Sequence, residues 1–187
     1  MGAAAVLLAG CVVTSVSPFY TAKDLVFEPA LLGDWISETN TNGNEIWKFD
    51  RSGDLSYRFT IIKPDSASVM EAHAFKLDGQ LFLDVASMNT DISIIPPHFL
   101  LKVNQTAPTL KMSQLNHDWL KELLAKKPST LSHHLIKQGE KADDVRVVLT
   151  GETVELQKFV RANLKTEGAW ADTELPREAR PSQTSKE

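Results

Sequence analysis

Cysteine is almost missing from this chain: Cys11 is the only one in 187 residues. A single thiol excludes an internal disulfide and any thiolate-rich zinc or iron–sulfur site. Basic charge is not in excess either, with 24 Asp and Glu against 20 Lys and Arg and a net charge of −4. A nucleic-acid binder needs a basic stripe to displace counterions, and this composition offers none. No Gly-x-Ser-x-Gly elbow, His-Glu-x-x-His or phosphate-cradling glycine loop occurs in the sequence. What remains is a chain with 42% hydrophobic residues and eight Phe, too apolar for wholesale disorder. Its length suits one domain with short appendages and a sizeable core.

Residues 1–10 carry no charge and include Ala3-Ala-Ala-Val-Leu-Leu-Ala-Gly10, an apolar run that stops at Cys11. Such a run is far shorter than the roughly 20 residues that span a bilayer. It matches the apolar core and cleavage site of a secretory signal. Leu8-Ala9-Gly10-Cys11 resembles the lipobox of bacterial lipoproteins. In that family a diacylglyceryl group is attached to the cysteine thiol and the chain is cut just before it. The resemblance therefore implies a lipid anchor on Cys11. Val12, in place of the Asp that marks inner-membrane retention, implies an outer-membrane address facing the periplasm. No Lys or Arg precedes Lys23, whereas signal peptides open with a basic stretch. Either the natural start lies upstream of Met1 or the signal is atypical. The expected organisation is a signal peptide over 1–10, a lipidated tether over 11–24, a β-rich domain over 25–165 and a flexible polar tail over 166–187.

From Leu31 the pattern has period two. Segments 45–50 and 55–61 flank Arg51-Ser-Gly-Asp54, and 69–77 and 81–85 flank Asp78-Gly79, the strongest short turn signal in the chain. A third hairpin joins 99–103 to 109–115. Adding 32–39 and 145–149 gives about eight strands. Asn116 is positioned to cap a helix carrying Trp119, Leu120, Leu123 and Leu124, stopped by Pro128. Thr150 is expected to cap a second, with Leu156, Phe159, Val160 and Leu164 on one face, and 129–136 to add a further helical turn. The expected fold is mainly β with two to three helices: an antiparallel meander forming a small barrel, the C-terminal helices packed on it.

Leu32-Gly33-Asp34-Trp35 resembles the Gly-x-Trp signature of lipocalins and lipocalin-like barrels. The resemblance implies that Gly33 allows a tight entry to the first strand and that Trp35 plugs the barrel's closed end. It also implies a cation over the indole, for which Arg146 is the candidate. The order of helices departs from that family, because one helix precedes the last strand here. Residues 147–159 resemble the strand-plus-helix end of small envelope lipoproteins.

Alternation places Trp47, Phe49, Leu55, Tyr57, Phe59 and Ile61 on an inward face, and with them Glu71, His73, Phe75 and Leu77. Leu81, Leu83, Val85, Phe99, Leu101, Val103, Leu110 and Met112 complete the set. A barrel of about eight strands either fills with such side chains or holds one small ligand. Candidate ligand contacts are Trp47, Tyr57, Phe59, Glu71, His73 and Phe75, the last set including a carboxylate and an imidazole that need polar partners inside an apolar shell. Neither His133 nor His134 has metal-ligand spacing to a third donor, and at His117-Asp118 the Asp is explained by the helix dipole. No catalytic residue, metal or cofactor is expected. The function expected is a membrane-anchored periplasmic lipoprotein that binds a small apolar or amphipathic ligand, a lipid or a fatty acid such as palmitate. The alternative is a structural or protein-interaction module of the envelope with a filled barrel. Expected partners are membrane lipid through acylated Cys11, that ligand and an envelope protein, without nucleic acid.

Overall fold

A computed structural model describes residues 12–37, 45–88, 96–137, 145–172 and 177–180. The strands are β1 (Thr14–Ser15), β2 (Gly33–Ser37), β3 (Glu45–Arg51), β4 (Ser56–Lys63), β5 (Ser66–Leu77) and β6 (Gln80–Ser87). Next come β7 (His98–Gln105), β8 (Thr109–Leu115), β9 (His133–Lys137), β10 (Val145–Leu149), β11 (Trp170–Asp172) and β12 (Arg177–Arg180). Two helices, α1 (His117–Lys126) and α2 (Thr153–Ala162), punctuate the second half. The mainly β fold with two helices is as the sequence implies.

The meander β2–β8 forms from successive hairpins. Asp78 (φ 50°) and Gly79 (φ 81°) both adopt positive φ, the requirement of a two-residue hairpin turn, and Leu77 pairs with Gln80 across it. The expected small barrel of about eight strands is not what forms: the sheet is open and has more strands. All twelve strands belong to one sheet, in the order β11-β8-β12-β2-β3-β4-β5-β6-β7-β1-β10-β9, with β7 also paired to β8. Strand β12 bonds to both β2 and β8, but among the described residues the sheet runs on past this circuit to end at β9 and β11. Part of the reason lies at β7, whose second edge changes partner along its length. It pairs β8 from Leu101 onward and β1 at His98, so the sheet continues sideways through β1 and β10 instead of ending on β8.

Several local expectations are corrected by pairing between distant segments. Residues 12–24, expected as a tether, are built into the domain: β1 runs parallel to β10, and Phe19 is only 1% exposed. Region 129–136 forms a 3-10 turn (Pro128–Thr130) and then β9, antiparallel to β10, in place of a helical turn. Helix α2 begins at Thr153 with Glu152 at its cap; Thr150 stays outside because its amide donates to Ser132 O at 2.9 Å. Trp170, expected in a solvated tail, pairs through β11 with Leu115. Helix α1 is capped as expected, Asn116 Oδ1 accepting from the amides of Asp118 (3.0 Å) and Trp119 (3.2 Å).

Two cores result, one on each side of β5–β7. The concave side holds Trp35, Trp47, Phe49, Tyr57, Phe59, Met70, Ala72, Ala74, Leu83 and Val85. The convex side holds Phe19, Phe75, Leu77, Phe82 and Leu100 with the buried faces of α1, α2 and β10. Leu55, expected inward, precedes β4 and is 39% exposed. Phe82→Ala is expected to cost about 3–5 kcal/mol and Leu55→Ala within about 0.5 kcal/mol in urea unfolding. Equal losses would contradict this assignment of faces.

Candidate functional site

The six expected ligand contacts fall on two different faces. Trp47, Tyr57 and Phe59 lie together on the concave side, with Trp47 edge-on to Phe59 at 5.1 Å and Phe59 stacked on Phe49 at 4.4 Å. Phe75 lies on the convex side, 5.5 Å from Phe82, and shares that parity with Glu71 and His73, so these three do not face the interior. The turn explains the split. Leu77 opposite Gln80 sets Phe75 opposite Phe82 and Ala74 opposite Leu83, and cross-strand partners share a face. Phe75 and Leu83 therefore cannot both point inward.

One end of the concave side is closed by the chain itself. Gly33 takes φ 113°, which permits the abrupt entry into β2. Trp35, 2% exposed, donates its indole N–H to Leu31 O at 2.9 Å. The Tyr57 hydroxyl accepts from the Glu28 amide at 2.6 Å, and Phe27 stacks on the Tyr57 ring at 5.0 Å. Burial, partly opposed by that backbone hydrogen bond, pushes the Tyr57 phenol pKa up. The cation at this end is Arg51, 4.4 Å over the Phe27 ring. Arg146, expected over Trp35, instead lies on β10 opposite Ile136, far along the sheet from β2.

At the other end, where β4 and β6 finish and β5 and β7 begin, a partly open cavity of about 40 Å³ remains. Its walls include Val12, Val13, Trp47, Phe59, Met70 and Phe99, and Gln114 is the one polar residue among them. That volume holds about three waters, and pockets for drug-sized ligands run to several hundred Å³.

The most organised polar cluster lies on the convex side, and alternation missed it. Asp84 is 1% exposed; its Oδ2 accepts from the Phe19 amide at 2.7 Å and its Oδ1 lies 2.6 Å from His98 Nδ1. The Tyr20 ring lies 4.9 Å from that of His73, tilted by 30°, and its phenol pKa is pushed up to about 12, by burial first and then by the charges of Asp84 and Glu71. An imidazole oriented by a buried carboxylate is the arrangement of a general base. The residue facing His98 across the strands is Ser15, 1% exposed, whose hydroxyl accepts from the Ser17 amide at 3.2 Å. Through the Phe19 amide the cluster holds backbone in place. The signal for it was in the sequence: Asp84 is the single charge in the apolar run 81–86.

Around Asp84, residues 16–26 form a strap across the convex side. Thr153 Oγ1 donates to Pro18 O (2.8 Å), and Gln157 Nε2 donates to Phe19 O (3.0 Å) and Asp24 Oδ2 (2.8 Å). The Lys76 amide donates to Asp24 O at 3.1 Å and the Val26 amide to Ala74 O at 2.9 Å. Burial disfavours the Asp24 carboxylate, but hydrogen bonds from Thr21 and Gln157, with Lys23 nearby, hold its pKa below the ordinary value. Among the described residues, no group of three or more His, Cys, Asp or Glu is arranged to hold a metal ion. No helix there is long and apolar enough to cross a membrane. Cys11 lies outside the described residues.

Two outcomes follow for the strap. Asp84→Ala leaves the buried Phe19 amide without its acceptor and is expected to cost about 1–3 kcal/mol in urea unfolding, with Asp84→Asn, which keeps an acceptor, milder. A lowered Asp24 pKa contributes stability that is complete above the ordinary carboxylate range near 4 and is lost as pH falls through the folded value. Asp24→Asn should therefore flatten the acid limb of the stability–pH curve below about pH 4, and an unchanged limb would contradict the assignment. Compared with known proteins, the chain matches no family model, no curated protein and no solved structure.

Proposed function

We propose that this chain is a lipid-anchored protein of the bacterial cell envelope, acylated at Cys11, whose β-rich domain works by contact with other proteins and does not enclose a ligand. The observation that carries the second half is the filled concave side. Trp47, Tyr57 and Phe59 are each at most 3% exposed, and the cavity beside them is about 40 Å³. A fatty acid such as palmitate would have to displace packed aromatic rings, at the cost that overpacking carries. The lipobox-like Leu8-Ala9-Gly10-Cys11 and the solitary thiol support the anchor, and with Val12 an outer-membrane, periplasm-facing address. The Gly33 and Trp35 corner supports kinship with lipocalin-like sheets in which the interior has been given over to side chains.

A surface suited to contact exists at β9. It is an edge of the sheet, and Leu135 (43% exposed) and Ile136 (47%) present apolar groups on both of its faces. Edge strands with free N–H and C=O groups are templates for an added strand from a partner.

The test is native mass spectrometry of the full chain extracted gently from bacterial membranes. The expected spectrum is the chain with its covalent acyl groups and no further small molecule. A stoichiometric species that leaves on organic extraction would overturn the contact reading and make the domain a carrier.

A further inference from the structure

The meander leaves one seam for which it has no strand of its own. Each hairpin reverses the chain, so of the seven strands β2 to β8 the first and the last run in the same direction. Strand β12 lies between these two and runs antiparallel to both. Arg177 faces Ser37 on β2 and Leu110 on β8, and Glu178 faces Ile36 and Thr109. Ala179 and Arg180 continue along β2, opposite Trp35 and Asp34. No hairpin joins β12 to either neighbour; it follows β11, which sits further along β8 at Ser113–Leu115. Its sequence, Arg-Glu-Ala-Arg, holds no β-branched or aromatic residue, so little in it favours a strand by itself. The pairing comes from two backbone edges that face each other across the width of one strand.

We propose that the slot between β2 and β8 is a site of strand exchange between two copies of this chain, in which residues 177–180 of one copy complete the sheet of the other. A strand supplied through a tight turn is held to its hairpin partner, whereas one supplied from a remote segment is specified by its register alone. Strand β12 pairs over four rungs with β2 and two with β8, and a short segment near a terminus opens at far less than the global unfolding free energy. The second copy carries the one sequence seen in this slot. It meets the same rungs there, with Ala179 opposite Trp35, which is 2% exposed. Reciprocal exchange conserves all of these pairings and forms a closed pair, so it costs little beyond bringing two chains together. Nothing in the exchange depends on acylation of Cys11, and it leaves the β9 surface untouched.

The test uses the full chain with introduced cysteines, and peptide masses identify which thiols are joined. Arg180 and Asp34 are directly opposite, at a spacing that a disulfide spans. Two chains, one Asp34→Cys and one Arg180→Cys, are mixed over a range of concentrations and mildly oxidised. The expected product is a dimer joined 34 to 180, its yield rising with concentration. Asp54→Cys, whose side chain is fully exposed on the β3–β4 loop, mixed with Arg180→Cys measures chance collisions. The 34–180 yield is expected several-fold above that background, and equal yields overturn the exchange. A double variant with both Asp34→Cys and Arg180→Cys in one chain is oxidised at high dilution, where a link within the chain is expected. That link, with none between chains in the mixture, shows a strand that never leaves its own copy and overturns the exchange. No link in either sample overturns the slot itself.

Discussion

A buried carboxylate organises the join between this domain and its N-terminus. Asp84 sits at 1% exposure in the middle of an apolar strand, where an unpaired charge would be ruinous. Its two oxygens are met by the Phe19 amide and the His98 ring. Satisfying Asp84 therefore requires residues 16–24 to lie on the convex side. That placement in turn buries Phe19 and brings Pro18 and Asp24 within reach of Thr153 and Gln157 on α2. The same strap leads back to β1, which opens the sheet by continuing it through β10.

Because the strap and helices cover the convex side, β6 is buried on both faces at Phe82–Val85, and β5 at Ala74 and Phe75. Phe75 and Phe82 pack outward while Ala74 and Leu83 pack inward from the neighbouring rungs of the same hairpin. The inward alanines of β5 leave room on the concave side that the rings of Tyr57, Phe59 and Phe49 fill. The sheet thus keeps its Gly33 and Trp35 corner and still has little interior to offer a ligand. Lys102 shows the same crowding: burial lowers its pKa, although Asp172 opposes the shift, and its ammonium sits 4.6 Å over the Trp170 ring.

What the sequence made legible was local. Asn116 announced its helix because a capping side chain acts on the next three residues. Asp78-Gly79 announced its hairpin because few residues take positive φ cheaply. Gly33 takes positive φ at the entry to β2, and Trp35 two residues on is buried. What stayed hidden was non-local. Thr14–Ser15 became a strand only because β7 and β10 lie on either side of it, and β9 only because β10 offered an edge. Glu71, His73, Phe75 and Leu77 were assigned to the wrong side because Phe75 and Leu77 are as buried as the inward Ala72 and Ala74, so apolar residues mark both faces of β5. The register of the Asp78-Gly79 turn, taken strictly, would have corrected all four.

Because β1 is paired in the sheet and Phe19 is buried in the convex core, the segment that reads as a tether must behave as part of the domain. Amide hydrogen exchange over residues 12–24 of the full chain measures this most directly. Protection comparable to that of β5 and β6 is expected, with the Phe19 amide among the slow exchangers because its acceptor is a buried charge. Exchange at the rate of an unstructured peptide across this segment would contradict the account.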